Sequence, residues 1–223
     1  KETLEGELSG IKYDVGVQSF LQVNSAVAAK LYQTAVKMIA PDEETVVIDA
    51  YSGAGLMTAL FSKKCKKAYG IEIVKEAVET ADKLKIKNNL ADKMVNIHGD
   101  CAVELPPLVK KLTATGDKVR VVLDPPRKGC DQKVLKAIKD SDIEKIVYIS
   151  CNPATLARDV GLLTGSLKLN GNELVKDKNY VPDYTVDYVQ PFDMFAQTKH
   201  VETLVVLSKK IPDSHINIDV EFG

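Results

Sequence analysis

The sequence predicts an α/β fold: a mostly parallel seven-stranded sheet with an antiparallel edge and helices on both faces. Three observations carry that prediction. Short apolar, β-branched runs recur between positions 46 and 149, the pattern of strands buried on both faces. Helix-like stretches separate them, and strands alternating with helices imply parallel pairing through right-handed crossovers. After residue 163 the alternation stops, and two long extended segments follow with no helix between them, which suits an antiparallel edge.

Taken in order, residues 25–38 read as a helix capped by Asn24 or Ser25 and packed ahead of the first strand. Buried strands are expected at 46–50, 68–73, 95–98, 119–123 and 146–149, with helices at 56–63, 75–88, 101–112, 133–139 and 154–163. The extended segments are 180–189 and 201–208. At 223 residues with 45% hydrophobic content, the chain fits one domain able to bury a sizeable core. The expected division is a lead-in segment and helix over 1–40, the sheet-forming domain over 41–210, and a tail over 211–223. A start at Lys1 without Met suggests a piece of a longer protein.

Lys and Arg total 30 against 31 Asp and Glu, so global charge gives no attraction for a polyanion, and any such partner must be held locally. The four cysteines show no CxxC and no zinc-type His spacing, which reads as unpaired thiols with neither a metal nor an iron–sulfur cluster. With no signal peptide and no membrane-length apolar stretch, the expectation is a cytoplasmic monomer without a membrane partner. The one charge run, Lys63-Lys64-Cys65-Lys66-Lys67, is either a solvated helix end or an RNA contact.

The first strand runs into Asp49-Ala50-Tyr51-Ser52-Gly53-Ala54-Gly55 and then a helix. Its glycines allow a tight turn and close approach of a ligand to backbone. A dinucleotide fingerprint needs glycine where Thr58 stands, which disfavours NAD. Glu72 ends the next strand, where a carboxylate can accept hydrogen bonds from both hydroxyls of a ribose. His98-Gly99-Asp100 ends the third, and Asp100 can reach an adenine amino group. Each acid alone has a plainer reading as a helix N-cap or a solvated turn; three at successive strand ends point to a cofactor site. Together they resemble the S-adenosylmethionine pattern of class I, Rossmann-like methyltransferases.

Asp124-Pro125-Pro126-Arg127 ends the fourth strand, and Ser150-Cys151-Asn152-Pro153 the fifth. Arg127 stands where amine-directed methyltransferases carry an aromatic. A cysteine at a strand end, ahead of a helix whose positive end lowers a thiol pKa, suits nucleophilic catalysis. Thiolate addition at C6 of uracil turns the unreactive C5 into an enolate carbon, after which a base must remove the C5 proton. Glu202 is the candidate base. The plainer reading of Cys151 is a small buried hydrophobe.

At this point the chain resembles the catalytic domain of the RNA 5-methyluridine methyltransferases. The resemblance rests on Phe20-Leu21-Gln22-Val23-Asn24, the Asp49 to Gly55 segment, Gly70-Ile71-Glu72, the Asp124 and Cys151 motifs, and Gln197-Thr198-Lys199-His200-Val201-Glu202. It implies S-adenosylmethionine contacts by Gln22, Tyr51, Gly53, Gly55, Glu72, Asp100 and Asp124, a Cys151 nucleophile, a Glu202 base, and Phe20 against the target uracil. Arg127 and Arg158 either touch RNA or pair with Asp131 and Asp159; His200 has a structural or orienting role. Leu56 replaces an Asn of some tRNA-directed members, which favours ribosomal RNA of the 23S type. The alternatives are cytosine C5 methylation, which usually brings a Pro-Cys in the fourth-strand loop, and a noncatalytic module binding cofactor or RNA. The family's N-terminal RNA-binding domain has no counterpart in these residues.

Overall fold

In the computed structural model the described residues are 4–15, 25–171, 173–194 and 201–210. Five parallel strands form the centre: β3 (Thr45–Ala50), β4 (Lys67–Glu72), β5 (Met94–His98), β6 (Lys118–Leu123) and β7 (Lys145–Ser150). Two further strands, β10 (Tyr184–Phe192) and β11 (Glu202–Lys209), complete a sheet of order β10-β11-β7-β6-β3-β4-β5, in which β11 runs antiparallel to both of its neighbours and β10 runs with the central five. From β3 the chain winds outward one way to β4 and β5, then returns to build β6 and β7 on the other side. That reversal opens a crevice at the carboxyl ends of β3 and β6, where open α/β sheets bind ligands.

Alternation along each strand feeds two cores. Val119, Val121 and Leu123 of β6, with Ile146 and Tyr148 of β7, face one side; Val122, Val147 and Ile149 face the other. Helices α1 (Ser25–Ile39), α2 (Leu56–Ser62) and α3 (Lys75–Lys87) cover the second face through Leu31, Ile39, Phe61 and Leu84. Helices α4 (Cys101–Ala114), α5 (Gln132–Lys139) and α6 (Pro153–Thr164) cover the first through Leu105, Ile138 and Leu163. These side chains are almost wholly shielded from solvent, and each contributes about 1.5–3 kcal/mol relative to exposure.

The predicted central strands and all six predicted helices are present, with ends within a few residues. The last extended segments differ more. The strand expected at 180–189 begins at Tyr184, after Pro182, and runs on through Pro191, which an edge strand tolerates because one row of its amides faces outward. A bulge interrupts its ladder between Val186 and Tyr188.

Two hairpins were not among the expected elements. β1 (Leu4–Leu8) and β2 (Ile11–Val15) join through Ser9-Gly10, whose φ values of 50° and 77° suit a two-residue turn. The alternation Ile11-Lys12-Tyr13-Asp14 beside that dipeptide carries its signal. Asn88 anchors the hairpin, accepting from the Lys12 amide at 2.8 Å and donating to its carbonyl at 2.7 Å. The second pair is β8 (Leu167–Asn170) with β9 (Glu173–Lys176). Within the charge run, Lys66 pairs with Asp117 at 2.7 Å, Lys63 donates to the Gly10 carbonyl at 3.1 Å, and Cys65 is buried.

Candidate active site

The turn after β3 makes one half of the site. Tyr51, Gly53 and Gly55 all take positive φ, at 67°, 53° and 80°. Glycine is required at 55 for a second reason, because a Cβ there would lie 2.7 Å from the Ala81 Cβ and 2.9 Å from the Met94 Cε. At Gly53 the same atom would meet nothing within 4 Å, so that backbone faces open space. Tyr51 is half-buried against the α4–α5 core.

Glu72 closes this half. Its Oε2 accepts the Gly53 amide at 2.9 Å and its Oε1 the Val74 amide at 2.8 Å. Each carboxylate oxygen keeps a further lone pair, so the group is fixed in place and still able to accept. Asp100 stands at the next strand end, exposed, where its Oδ1 accepts the Ala102 amide at 2.8 Å as the N-cap of α4. The capping role foreseen as its plainer reading is present and leaves its Oδ2 outside that bond.

Sequence reasoning counted Asp49 among the strand-end acids and gave it no role of its own. It lies fully buried one residue before the end of β3, with Oδ2 accepting the Thr58 hydroxyl at 2.5 Å and Oδ1 without a partner among the described residues. Burial pushes its carboxyl up to about 7, with the Glu72 charge adding to the rise and the Thr58 bond opposing it. Gly70, its neighbour across β3 and β4, makes room for this bond, since a Cβ there would lie 2.9 Å from the Thr58 Oγ1. The available signal was an acid inside the run Val46-Val47-Ile48-Asp49-Ala50.

The other half gathers at the ends of β6, β7 and β11. Thr203 pairs with Ser150, so the next residues outward, Glu202 and Cys151, meet across adjacent strands. Cys151 is the one partly exposed cysteine of the four. Burial raises its thiol above the ordinary range, the Glu202 charge raises it further, and the Arg127 guanidinium opposes both by charge and hydrogen bonding. The helix-end lowering expected from sequence is therefore outweighed. Glu202 is 7% exposed, and burial likewise raises its carboxyl against the pull of Arg127. Asp124 is half-buried and is pushed up to about 8, by burial first and then by Glu202 and Asp49.

Around these groups the loops are tightly bonded. Asn152 caps α6 by accepting the Ala154 amide at 3.1 Å, and its Nδ2 donates to the Arg127 carbonyl at 3.0 Å. Arg127 itself is exposed. Arg158 is turned inward, with Nε donating to Asp159 Oδ1 at 2.7 Å and Nη2 to the Lys128 carbonyl at 3.0 Å. The Arg158–Asp159 pair foreseen as its plainer reading is present; the Asp131 side chain caps α5 by accepting the Lys133 amide. Phe20, Gln22 and the 197–200 segment lie outside the described residues.

A sheet of this order, with its last strand inserted antiparallel and a carboxylate ending the strand after the glycine turn, defines the class I S-adenosylmethionine-dependent methyltransferase fold. Among solved structures, the Pyrococcus abyssi tRNA (uracil-54, C5)-methyltransferase in complex with S-adenosyl-L-homocysteine is similar at TM-score 0.71 and 26% identity, over 93% of this chain and 44% of that one. The M. jannaschii tRNA m1G37 methyltransferase, 16% identical over 94% of this chain and 57% of its own, shares the fold at TM-score 0.62. The chain belongs to the tRNA (uracil-5-)-methyltransferase family, whose model matches residues 1–210. An uncharacterized RNA methyltransferase of Clostridium acetobutylicum is 39% identical over 209 residues, and one of Listeria monocytogenes 34% over 210. Each alignment covers 94% of this chain and 41% of the relative, so the chain spans about two fifths of their length.

Proposed function

We propose that this chain carries the catalytic centre for S-adenosylmethionine-dependent methylation of uridine C5 in RNA, with Cys151 as nucleophile and Glu202 as base. The observation that carries the reading is the meeting of Cys151, Glu202, Asp124 and Arg127 at one mouth of the sheet. A binding module needs neither a thiol nor a buried acid beside it.

The residues of the β3–β4 half fit S-adenosylmethionine. The open face at Gly53, the pinned Glu72 carboxylate and the unpartnered buried Asp49 oxygen suit an adenosine that carries a cationic, amino-acid-like arm. Glu72 would hold the ribose, with Tyr51, Gly53, Gly55, Asp100 and Asp124 lining the rest, and Gln22 joins them by resemblance. Bound there, the cofactor supplies an electrophilic methyl group.

Cys151 acts on the base. Its thiolate forms an S–C6 bond while the C5=C6 π pair moves toward C5, the carbon that receives the methyl group. Glu202 then takes the C5 proton; the freed C–H pair restores C5=C6, and the S–C6 pair returns to sulfur. A raised Glu202 pKa suits this step, because a buried carboxylate is a stronger base than an exposed one. Arg127 offsets the negative charge gathered around the thiol. Phe20, by resemblance, stacks on the extruded uracil.

Leu56, the first residue of α2, supports ribosomal over transfer RNA, and selection among RNAs is assigned to the part of the relatives this chain does not span. The test is intact-mass analysis after incubation with S-adenosylmethionine and 5-fluorouridine transcripts of either RNA. Fluorine at C5 cannot leave as a proton, so a stable adduct mapped to Cys151 is expected, with higher yield on the ribosomal transcript. No adduct on either RNA, with cofactor bound in the same sample, counts against uridine chemistry.

A further inference from the structure

The loop that follows β6 is held by one face of α6. Asn152, Thr155, Arg158 and Asp159 recur at three- to four-residue spacing, which puts them on the same side of the helix. Each holds the loop at a point of its own or shares one. Asn152 Nδ2 donates to the Arg127 carbonyl at 3.0 Å, and the Thr155 hydroxyl shares its one proton between that carbonyl and the Asn152 carbonyl, each at 3.2 Å. Arg158 Nη2 donates to the Lys128 carbonyl at 3.0 Å, and Asp159 Oδ2 accepts the Cys130 amide at 2.8 Å.

The loop and the helix are matched closely enough to forbid a side chain between them. Gly129 has φ of 80°, and a Cβ there would stand 2.6 Å from Asp159 Oδ2 and collide with Arg158 Nη2. Asp159 is completely buried and is completed by the Tyr148 hydroxyl at 2.6 Å and Arg158 Nε at 2.7 Å. The same helix begins two residues after Cys151. The nucleophile and the arginine loop are thus fastened to one element, though 24 positions apart in sequence.

We propose that Asn152 and Thr155 are positioning residues which act through Arg127: by gripping its carbonyl they hold its guanidinium against the Cys151 thiol. The inference rests on the reading of Cys151 as nucleophile and adds the device that prepares it. Glu202 of β11 faces the same thiol and opposes ionisation, and Asp124 at the end of β6 faces Glu202. Arg127 is the cation acting on the thiol among the described residues. The Arg127 guanidinium favours the thiolate by charge and hydrogen bonding, an effect that weakens as it swings toward water.

The test is the pH dependence of Cys151 alkylation by iodoacetamide in the 223-residue chain, read by peptide mass. The other three cysteines are buried. It needs neither RNA nor cofactor, so its outcome is independent of the fluorouridine experiment. Arg127→Ala is expected to move the alkylation midpoint upward. Thr155→Val and Asn152→Ser keep the helix start and lose one donor to the Arg127 carbonyl each. They are expected to move the midpoint the same way by about half a pH unit, slowing alkylation about threefold below it. Thr155→Ser, which restores a hydroxyl, should return the midpoint to that of the parent.

Circular dichroism confirms that each variant is folded. An unmoved midpoint in folded Thr155→Val and Asn152→Ser overturns the proposal. So does an unmoved midpoint in Arg127→Ala, or a Thr155→Ser variant that behaves like Thr155→Val.

Discussion

Glu202 faces Cys151 across the mouth of the sheet, one step beyond the Thr203–Ser150 pair that ends the ladder. The chain leaves the sheet at the cysteine and enters it at the glutamate. Antiparallel insertion of β11 is what allows this, since a parallel strand would start at the opposite end.

Neutralising Glu202 removes a charge that raises the thiol. Glu202→Gln is therefore expected to lower the alkylation midpoint of Cys151 by on the order of half a pH unit. With uridine RNA and cofactor it should accumulate a protein–RNA adduct that denaturing gels detect. Normal turnover by this variant would exclude Glu202 as the base.

Asp49 and Asp124 stand at about 7 and about 8, above the ~3.9 of Asp in an unfolded chain. The folded chain keeps protons there that the unfolded chain releases once the pH passes ~4. Through these two groups stability falls as pH rises from that point up to the folded values, and is flat beyond them. The chain without cofactor should melt lower at pH 7.5 than at pH 5, with Asp49→Asn reducing the difference by on the order of 1–2 kcal/mol. Melts of both proteins at the two pH values decide it, and an unaltered difference would clear Asp49.

Gly53 and Gly55 share a backbone constraint and differ in what surrounds them. Gly53→Ala should cost about 1 kcal/mol of stability and weaken S-adenosylhomocysteine binding, because its methyl group enters the open side. Gly55→Ala meets α3 as well and should cost about 2–4 kcal/mol. Melting curves and titration calorimetry separate the two. Equal losses of stability would contradict the packing argument.

Asp159 has three partners and no exposure. Asp159→Ala leaves Arg158 Nε, the Tyr148 hydroxyl and the Cys130 amide without their shared acceptor, so a loss of about 3–5 kcal/mol is expected in urea unfolding. A loss below about 1 kcal/mol would mean that water replaces the carboxylate.

Sequence pattern reaches the elements whose residues face a core from both sides. Strands β3, β6 and β7 are legible because burial on two faces demands continuous apolar runs. The hairpin at Ser9-Gly10 carried a signal of comparable kind that the dominant α/β pattern overshadowed. Cys151 and Glu202 are identifiable as residues, yet their meeting depends on the register of β11 against β7, which no local pattern encodes. Arg158 shows the limit most plainly. Its attachment to Lys128 follows from a loop passing close by at Gly129, a tertiary fact invisible in either segment alone.

The bulge at Val186–Tyr188 and the proline at 191 lie on the outermost strand. An eighth strand trying to add there would need a straight row of amides and carbonyls at regular spacing. It would find the row bent at one point and lacking a donor at another. The same residues that finish the sheet thereby make its rim a poor template, which guards a largely apolar strand assembly against growing edge to edge.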